Sequence, residues 1–214
     1  MMLSFAVTLE IYREHQGFML VSTYELLINK KQFPKPEDLD LGANEEQVNF
    51  LEDLSREVIQ GYFLTISNLS TADAELNISF RTIEIQSANS PFDEKVTAVL
   101  DTNGENREIK PNSSSNVGRI SYTVEIKAND TGLFIIQPKP NFIFDPKPEN
   151  EIEIRGYVDV SSNEQETIDL LLTPEHRATF YRRNENGGDE NPIVQLDQIA
   201  YALPTAIGGS KFTV

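Results

Sequence analysis

Apolar and polar residues alternate along much of this chain with the two-residue period of strands that bury one face. The pattern occurs twice in residues 61–81, GYFLTISNLSTADAELNISFR, on either side of a short polar linker. The two apolar rows are Tyr62, Leu64, Ile66 and Leu76, Ile78, Phe80. Asn, Ser, Thr and Asp in the linker favour turns. We therefore predict that the two rows lie on paired strands.

Further strands follow from the same period. The predicted segments are 3–11, 18–28, 96–100, 120–126, 133–137, 152–160, 167–172, 178–182 and 193–201. After Phe80 the apolar positions shift to Ile83 and Ile85, which predicts a bulge or bend near Arg81. Residues 101–104, DTNG, and 129–132, NDTG, predict tight turns because Asn and Gly tolerate positive φ.

One helix is predicted over residues 44–56. Asn44 suits the N-cap, Gln47 answers it three residues later, and Val48, Leu51 and Leu54 share a face. The segment QPKPNFIFDPKPEN, residues 137–150, contains four prolines and predicts a stiff, extended connector.

Many short strands with turn signals and one helix are typical of an all-β fold. We predict an antiparallel β-sandwich, immunoglobulin-like or jelly-roll-like, with one short helix. Residues 1–214 are interpreted as one domain, with a possible internal boundary near 138–150.

Charge and composition restrict the partners. The formal net charge of −16 disfavours phosphate backbones and anionic membranes, so neither nucleic acid nor membrane is expected as a partner. The absence of cysteine excludes disulfides and thiolate chemistry. Neither a signal peptide nor a long apolar run is apparent, so we expect a cytoplasmic protein or one incorporated in an assembled particle.

Catalytic patterns are scarce. The two histidines, His15 in a predicted turn and His176 between two predicted strands, accompany no nucleophile motif. No phosphate-binding or dinucleotide-binding glycine motif occurs. We therefore predict a non-enzymatic protein that needs no cofactor.

Two other classes of site remain as alternatives. A hydrolase with a carboxylate pair is possible in so acidic a chain. A glycan site usually presents broad aromatic surfaces, but Trp is absent, and Tyr24, Tyr62 and Tyr122 lie on apolar rows typical of a core.

A calcium-binding site is a further alternative. The loop NENGGDEN, residues 184–191, carries oxygen ligands around two glycines, and the calcium candidates are Asn184, Asn186, Asp189 and Glu190. Their order does not fit an EF-hand loop, and a solvated hairpin loop is the favoured interpretation.

The region from residue 177 onward contains the candidate interface. Arg177, Arg182 and Arg183 form a basic island that either pairs with nearby carboxylates or docks an acidic neighbour. Residues 198–210, QIAYALPTAIGGS, carry no charge and either fold back on the core or form an adhesive arm. We nominate these arginines together with Tyr201, Leu203 and Ile207.

The hypothesis that follows is a structural or protein-interaction module. It would bind a protein partner or itself, possibly as a subunit of a shell, tail or fibre. The alternatives are a calcium- or glycan-binding module and, less favoured, a carboxylate-pair hydrolase.

Overall fold

The computed structural model describes residues 18–31, 56–85, 92–112, 118–144, 151–162, 167–183 and 193–214. Within these ranges the chain forms strands, a one-turn helix and a short 3-10 helix. They are β1 (Met19–Lys31), β2 (Glu57–Asn68), β3 (Ala74–Ile85), α1 (Phe92–Lys95), β4 (Val96–Thr102), β5 (Glu105–Ile109), β6 (Arg119–Ile126), β7 (Thr131–Pro138), the 3-10 helix (Pro140–Phe144), β8 (Ile152–Ser162), β9 (Asp169–Arg183), β10 (Ile193–Ala202) and β11 (Lys211–Thr213).

The fold is all-β and antiparallel, as predicted. Eight strands form one nearly closed, barrel-like sheet in the order β5-β4-β7-β2-β1-β8-β3-β6, and β9 pairs with β2 and carries β10 and β11. The predicted sandwich of two separate sheets is therefore wrong in this respect. Alternation identifies the buried face of each strand, but it does not say whether hydrogen bonds continue from one sheet to the next.

Strand β2 is the branch point of this sheet. It pairs with β9 over its whole length, Glu57 to Asn68, so β1 and β7 share its other edge. β1 pairs next to Glu57, Val58 and Gln60, and β7 pairs along the second half of β2. On the N-terminal side of Leu27, β1 is no longer paired with β2, so the backbone groups that face β2 there need other partners.

The prediction that β2 and β3 pair is wrong. β2 pairs with β1, β7 and β9, whereas β3 pairs with β6 and β8. The two apolar rows instead meet across the core, where the rings of Tyr62 and Phe80 lie 5.5 Å apart, edge to face. The five-residue linker would permit a hairpin, but β1 and β8 lie between β2 and β3 in the sheet.

The core is built from the inward rows of these strands. Its centre is an aromatic cluster with edge-to-face and stacked contacts, formed by Tyr24, Tyr62, Phe80, Tyr122 and Phe134. All five rings are buried, which confirms that the three tyrosines belong to the core. Such rings each bury about 150–250 Å² and contribute much of the hydrophobic stabilisation.

Residues 169–183 form one strand of 15 residues, not the two predicted segments with a turn between them. The TPEHR sequence suggested a break because proline lacks an N–H. The strand continues because the Pro174 carbonyl still accepts a hydrogen bond from the Leu203 N–H, at 2.8 Å. His176 is therefore a buried residue within a strand and not a turn residue.

The local predictions hold at several points. Asn103, Gly104 and Asn129 adopt positive φ in the two predicted turns. The predicted bulge appears in β3 between Thr82 and Glu84. The first turn joins β4 to β5, a strand that was missed because it has almost no apolar side chains.

Other predictions meet the structure only in part. The proline-rich connector contains the 3-10 helix Pro140–Phe144, so this part is not extended. The three-residue strand β11 is too short for a period to be detected. The predicted strand 3–11 and residues 44–55 of the predicted helix lie outside the described residues. The single-domain assignment stays a prediction.

Candidate interaction surface

Strand β10 lies at an outer edge of the sheet. Among the described strands only β9 pairs with it, through the register from Ile193–Arg183 to Ala202–Glu175. Its large apolar side chains stay exposed to solvent, by 41% for Val194, 40% for Leu196, 48% for Ile199 and 42% for Tyr201. Within the described part of the chain, β10 therefore presents an unpaired strand edge together with apolar side chains.

The hydrogen bonds of β10 show which of its backbone groups point away from β9. In the register of β10 with β9, Leu203 lies opposite Pro174 and donates its N–H to the Pro174 carbonyl. Hydrogen-bonded pairs alternate along an antiparallel ladder, so Ile199 and Tyr201 also bond to β9. The N–H groups of Gln198 and Ala200 then point away from β9. In agreement, the Gln198 N–H donates to the Asp197 carboxylate at 2.8 Å.

Other described edges are protected in ways that β10 is not. β5 is five residues long and carries three charged side chains. β6 is covered by Asn112, whose N–H donates to the Ser121 carbonyl and whose Oδ1 accepts from the Thr123 N–H. β11 has only three residues. β10 has ten residues, with Asp197 as its single charge and no proline, and its register with β9 shifts once, between Gln195 and Asp197. Natural sheets usually block such edges with charges, prolines, bulges or coverings, so the regular part of the β10 edge begins at Asp197.

The two strands that form this edge, β9 and β10, are neutral as a pair. β9 and β10 together contain three acidic residues, Asp169, Glu175 and Asp197. They contain three arginines, which are Arg177, Arg182 and Arg183. The whole chain has a net charge of −16, and the segment between the two strands, residues 184–192, adds three acidic residues in the sequence. A weaker repulsion of an acidic neighbour is therefore confined to the two strands themselves.

A buried polar network anchors the C-terminal half of β10. His176 accepts the Glu25 N–H at Nε2, 3.0 Å away, so its Nδ1 carries the proton and donates to Tyr201 Oη at 3.0 Å. Tyr201 donates in turn to Gln60 Oε1 at 3.4 Å. Gln60 Nε2 completes the ring by donating to the carbonyl and carboxylate of Glu25, both at 3.2 Å.

This network compensates for the divergence of β1 from β2. Glu25 lies past the last β1–β2 pair, so the side chains of His176 and Gln60 satisfy its backbone. Burial lowers the pKa of His176, and the nearby Glu25 carboxylate acts in the opposite direction. Arg155 pairs with that carboxylate from β8. The network is a structural link, and its donor and acceptor roles require a neutral His176.

The outer face beside β10 carries a shallow groove of about 380 Å³. Gly61 is one of its lining residues, and a Cβ added there would lie 2.9 Å from Cβ of Gln137. Arg177 lies over the Phe63 ring at 4.5 Å and pairs with Glu175 at 3.0 Å. No carboxylate is among its described lining residues, so the groove does not offer the acid pair that a hydrolase needs.

The nominated interface residues occupy different environments. Arg177 lies in the groove, and Arg182 is exposed near the end of β9. Leu203 packs against the core, whereas Ile207 is 54% exposed. The side chain of Arg183 lies outside the described residues. Their grouping into one interface stays a prediction, and Tyr201 is the member that belongs to β10.

The uncharged C-terminal segment folds back on the molecule. The Ala206 N–H donates to the Val21 carbonyl at 2.7 Å, and β11 then pairs with β9. Phe212 is buried in the core. Of the two alternatives in the sequence analysis, the structure supports the folded segment over a free arm.

Some candidates cannot be placed. His15 and the calcium candidates in residues 184–190 lie outside the described residues. Within the described ranges, no group of three or more His, Asp or Glu side chains is arranged to hold a metal ion. In the same part of the chain, no helix has the length and apolar character needed to cross a bilayer.

Comparison of the chain with models of known protein families, with curated proteins and with solved structures finds no match.

Sequence reasoning missed the edge itself. It identified residues 193–201 as a strand but nominated only Tyr201 from it. The signal was the charge count, since ten consecutive strand residues contain one charged side chain in a chain that is 24% charged. Gln60 and Glu25 gave no signal, because their roles depend on the point where β1 leaves β2.

Proposed function

We propose that this protein is a non-enzymatic interaction module that binds a protein partner by adding a strand to β10. The observation that carries the proposal is the long, charge-poor edge of β10, which is free among the described strands. In strand addition, backbone hydrogen bonds supply affinity and alternate side chains supply specificity.

The chemistry of β10 supports this mode. Ala200 offers an outward N–H and C=O, and Gln198 offers an outward C=O, which are the groups that a docking strand needs. The Gln198 N–H would exchange its bond to the Asp197 carboxylate for one to the docking strand. Ile199 and Tyr201 offer apolar side chains on the face they share with Ala178 and His176. The polar network holds Tyr201 in place, so β10 is organised before a partner arrives, which lowers the entropy lost on binding.

The matched variants Ala200→Pro and Ala200→Val test strand addition. Proline removes the outward N–H of residue 200 and leaves the bonds from β10 to β9, since proline is tolerated where the N–H faces away from the sheet. Valine keeps the N–H and favours a strand. Similar melting temperatures would show that both variants fold.

The probe is a fluorescent ten-residue peptide with the β10 sequence IVQLDQIAYA. We expect the anisotropy titration to show binding to the wild-type chain and to Ala200→Val, and at least tenfold weaker binding to Ala200→Pro. Equal binding to the two variants would contradict the proposal. So would absence of binding to a wild-type chain that light scattering shows to be monomeric.

A further inference from the structure

We infer that the strand docking on β10 is the β10 strand of a second copy of this chain, paired antiparallel with Ile199 on the two-fold axis. This inference rests on the proposed function and names its partner. Closed two-fold dimers are the commonest soluble homo-oligomers, and their interfaces are self-complementary.

The backbone of β10 satisfies the geometry of such a pair. A two-fold axis perpendicular to a sheet makes two edge strands antiparallel and places one residue opposite itself. With Ile199 on the axis, Gln198 faces Ala200 of the second copy, and Ala200 faces its Gln198. Alternation from the Leu203–Pro174 bond directs the N–H and C=O of both residues outward. In the pair, the Gln198 N–H would exchange its bond to Asp197 for one to the second copy. Gln198 of each copy and Ala200 of the other therefore form a hydrogen-bonded pair on each side of the axis.

The side chains select this register over its neighbours. Ile199 is 48% exposed and would pack against itself at a closely spaced, non-hydrogen-bonded position. Asp197 would face Tyr201 of the second copy, and the two Asp197 carboxylates would lie about 14 Å apart along the strands. A register centred on Asp197 would place like charges directly opposite, which is destabilising.

Charge favours this face for contact between copies. Each chain carries a net charge of −16, so most of its surface repels a second copy. The strands β9 and β10 carry three positive and three negative side chains and are neutral as a pair. A single strand pair also buries less than the roughly 1,600 Å² of a standard interface. We therefore expect a reversible dimer whose population rises with protein concentration.

The cysteine-free sequence allows a direct test of the register. In the variant Ile199→Cys, the new thiol lies opposite its own copy, where the separation of paired Cα atoms suits a disulfide. In the control Asp197→Cys, the two thiols lie about 14 Å apart, too far to bridge. Both positions are exposed, so folding should persist, and melting temperatures check this.

The experiment follows disulfide-linked dimer on mild oxidation of each variant at several concentrations. It also follows the molar mass of the wild-type chain by size-exclusion chromatography with light scattering. We expect Ile199→Cys to cross-link at least ten times faster than Asp197→Cys, and the wild-type mass to rise towards two chains.

Equal cross-linking rates for the two variants, or a strictly monomeric wild-type chain at millimolar concentration, would overturn the inference. If the β10 peptide still bound that monomer, strand addition would stand with a different protein as partner. Loss of both peptide binding and cross-linking would overturn the proposed function as well.

Discussion

At the scale of single residues, the fold depends on a few positions where the sheet cannot follow its regular pattern. His176 and Gln60 replace strand partners where β1 leaves β2. Gly156 lies at the β3 bulge, where a Cβ would come within 1.8 Å of the Arg81 carbonyl oxygen. Each residue is required by the backbone geometry of its neighbours and not by its own propensity.

The first prediction concerns the pH dependence conferred by His176. The charged groups nearest to it are Glu25 and, through that carboxylate, Arg155; Tyr62 and Tyr201 supply its ring contacts. Burial lowers the pKa of His176 in the folded chain. As the pH falls, His176 therefore takes up a proton in the unfolded chain before it does so in the folded chain. The free energy of unfolding should therefore decrease as the pH falls below about 6.5, the ordinary histidine pKa.

The variant His176→Gln provides the matched comparison. Its amide oxygen can still accept the Glu25 N–H, but it does not titrate in this range. Urea unfolding between pH 7.5 and 5 should show a smaller decrease in the variant than in the wild-type chain. Identical slopes would show that the His176 proton is not linked to folding. Asp73 and Asp169, whose pKa values are lowered, act only at more acidic pH.

The second prediction concerns Gly156. Gly156→Ala should lower the free energy of unfolding by about 3 kcal/mol, since the backbone of β3 has to move away from the added methyl group. Gly209→Ala is the control, because no atom lies within 4 Å of its added Cβ and its φ is not positive. Thermal or urea unfolding measures both. A loss below 1 kcal/mol in Gly156→Ala would show that this contact is not tight.

At the scale of elements, the C-terminal segment acts as a clasp that closes the fold. It leaves β10, bonds to Val21 of β1 through Ala206, and returns to pair with β9 as β11. Val214 and Ile168 then exchange backbone hydrogen bonds of 3.0 and 2.7 Å. Its contribution to stability should come from the buried Phe212 and not from its exposed turn.

The third prediction separates these two parts. Phe212→Ala should destabilise the chain by about 3–5 kcal/mol, because it removes a fully buried ring. Ile207→Ala should change stability by less than about 0.5 kcal/mol, because that side chain is 54% exposed. Urea unfolding of both variants measures the difference. Similar losses of stability in the two variants would contradict the claim that the C-terminal segment stabilises the fold through Phe212.

The elements also show what a sequence can and cannot predict. The periods of β1, β2, β6 and β8 identified strands and buried faces, since each has one face in the core. The strand pairing could not be predicted from the sequence, because β2 pairs with three strands that all present similar apolar rows. The free edge of β10 was not accessible either, since an edge is defined by strands that are absent beside it.

At the scale of the whole molecule, the net charge opposes the association of two chains, whereas the β10 edge favours it. Two chains of net charge −16 repel, whereas β10 provides an apolar contact with a single charged residue. Screening weakens the repulsion, since the Debye length falls from about 30 Å at 0.01 M salt to about 8 Å at 0.15 M.

The fourth prediction follows from this balance. The dissociation constant of the dimer should fall several-fold when the salt concentration rises from about 20 to 200 mM at pH 7. Sedimentation velocity at both concentrations, with Ala200→Pro as the variant that blocks the edge, measures the change. Weaker association at higher salt would instead indicate an interface held by ion pairs of Arg177 and Arg182.

The central claim is that the outward backbone groups of β10 are the working surface of this protein. Residue-resolved amide exchange by NMR tests it most directly. In dilute protein, the Ile199 and Tyr201 amides should exchange slowly and the Gln198 and Ala200 amides fast. In concentrated protein, or with the β10 peptide, all four should exchange slowly. Gln198 and Ala200 amides that stay fast under every condition would contradict the claim.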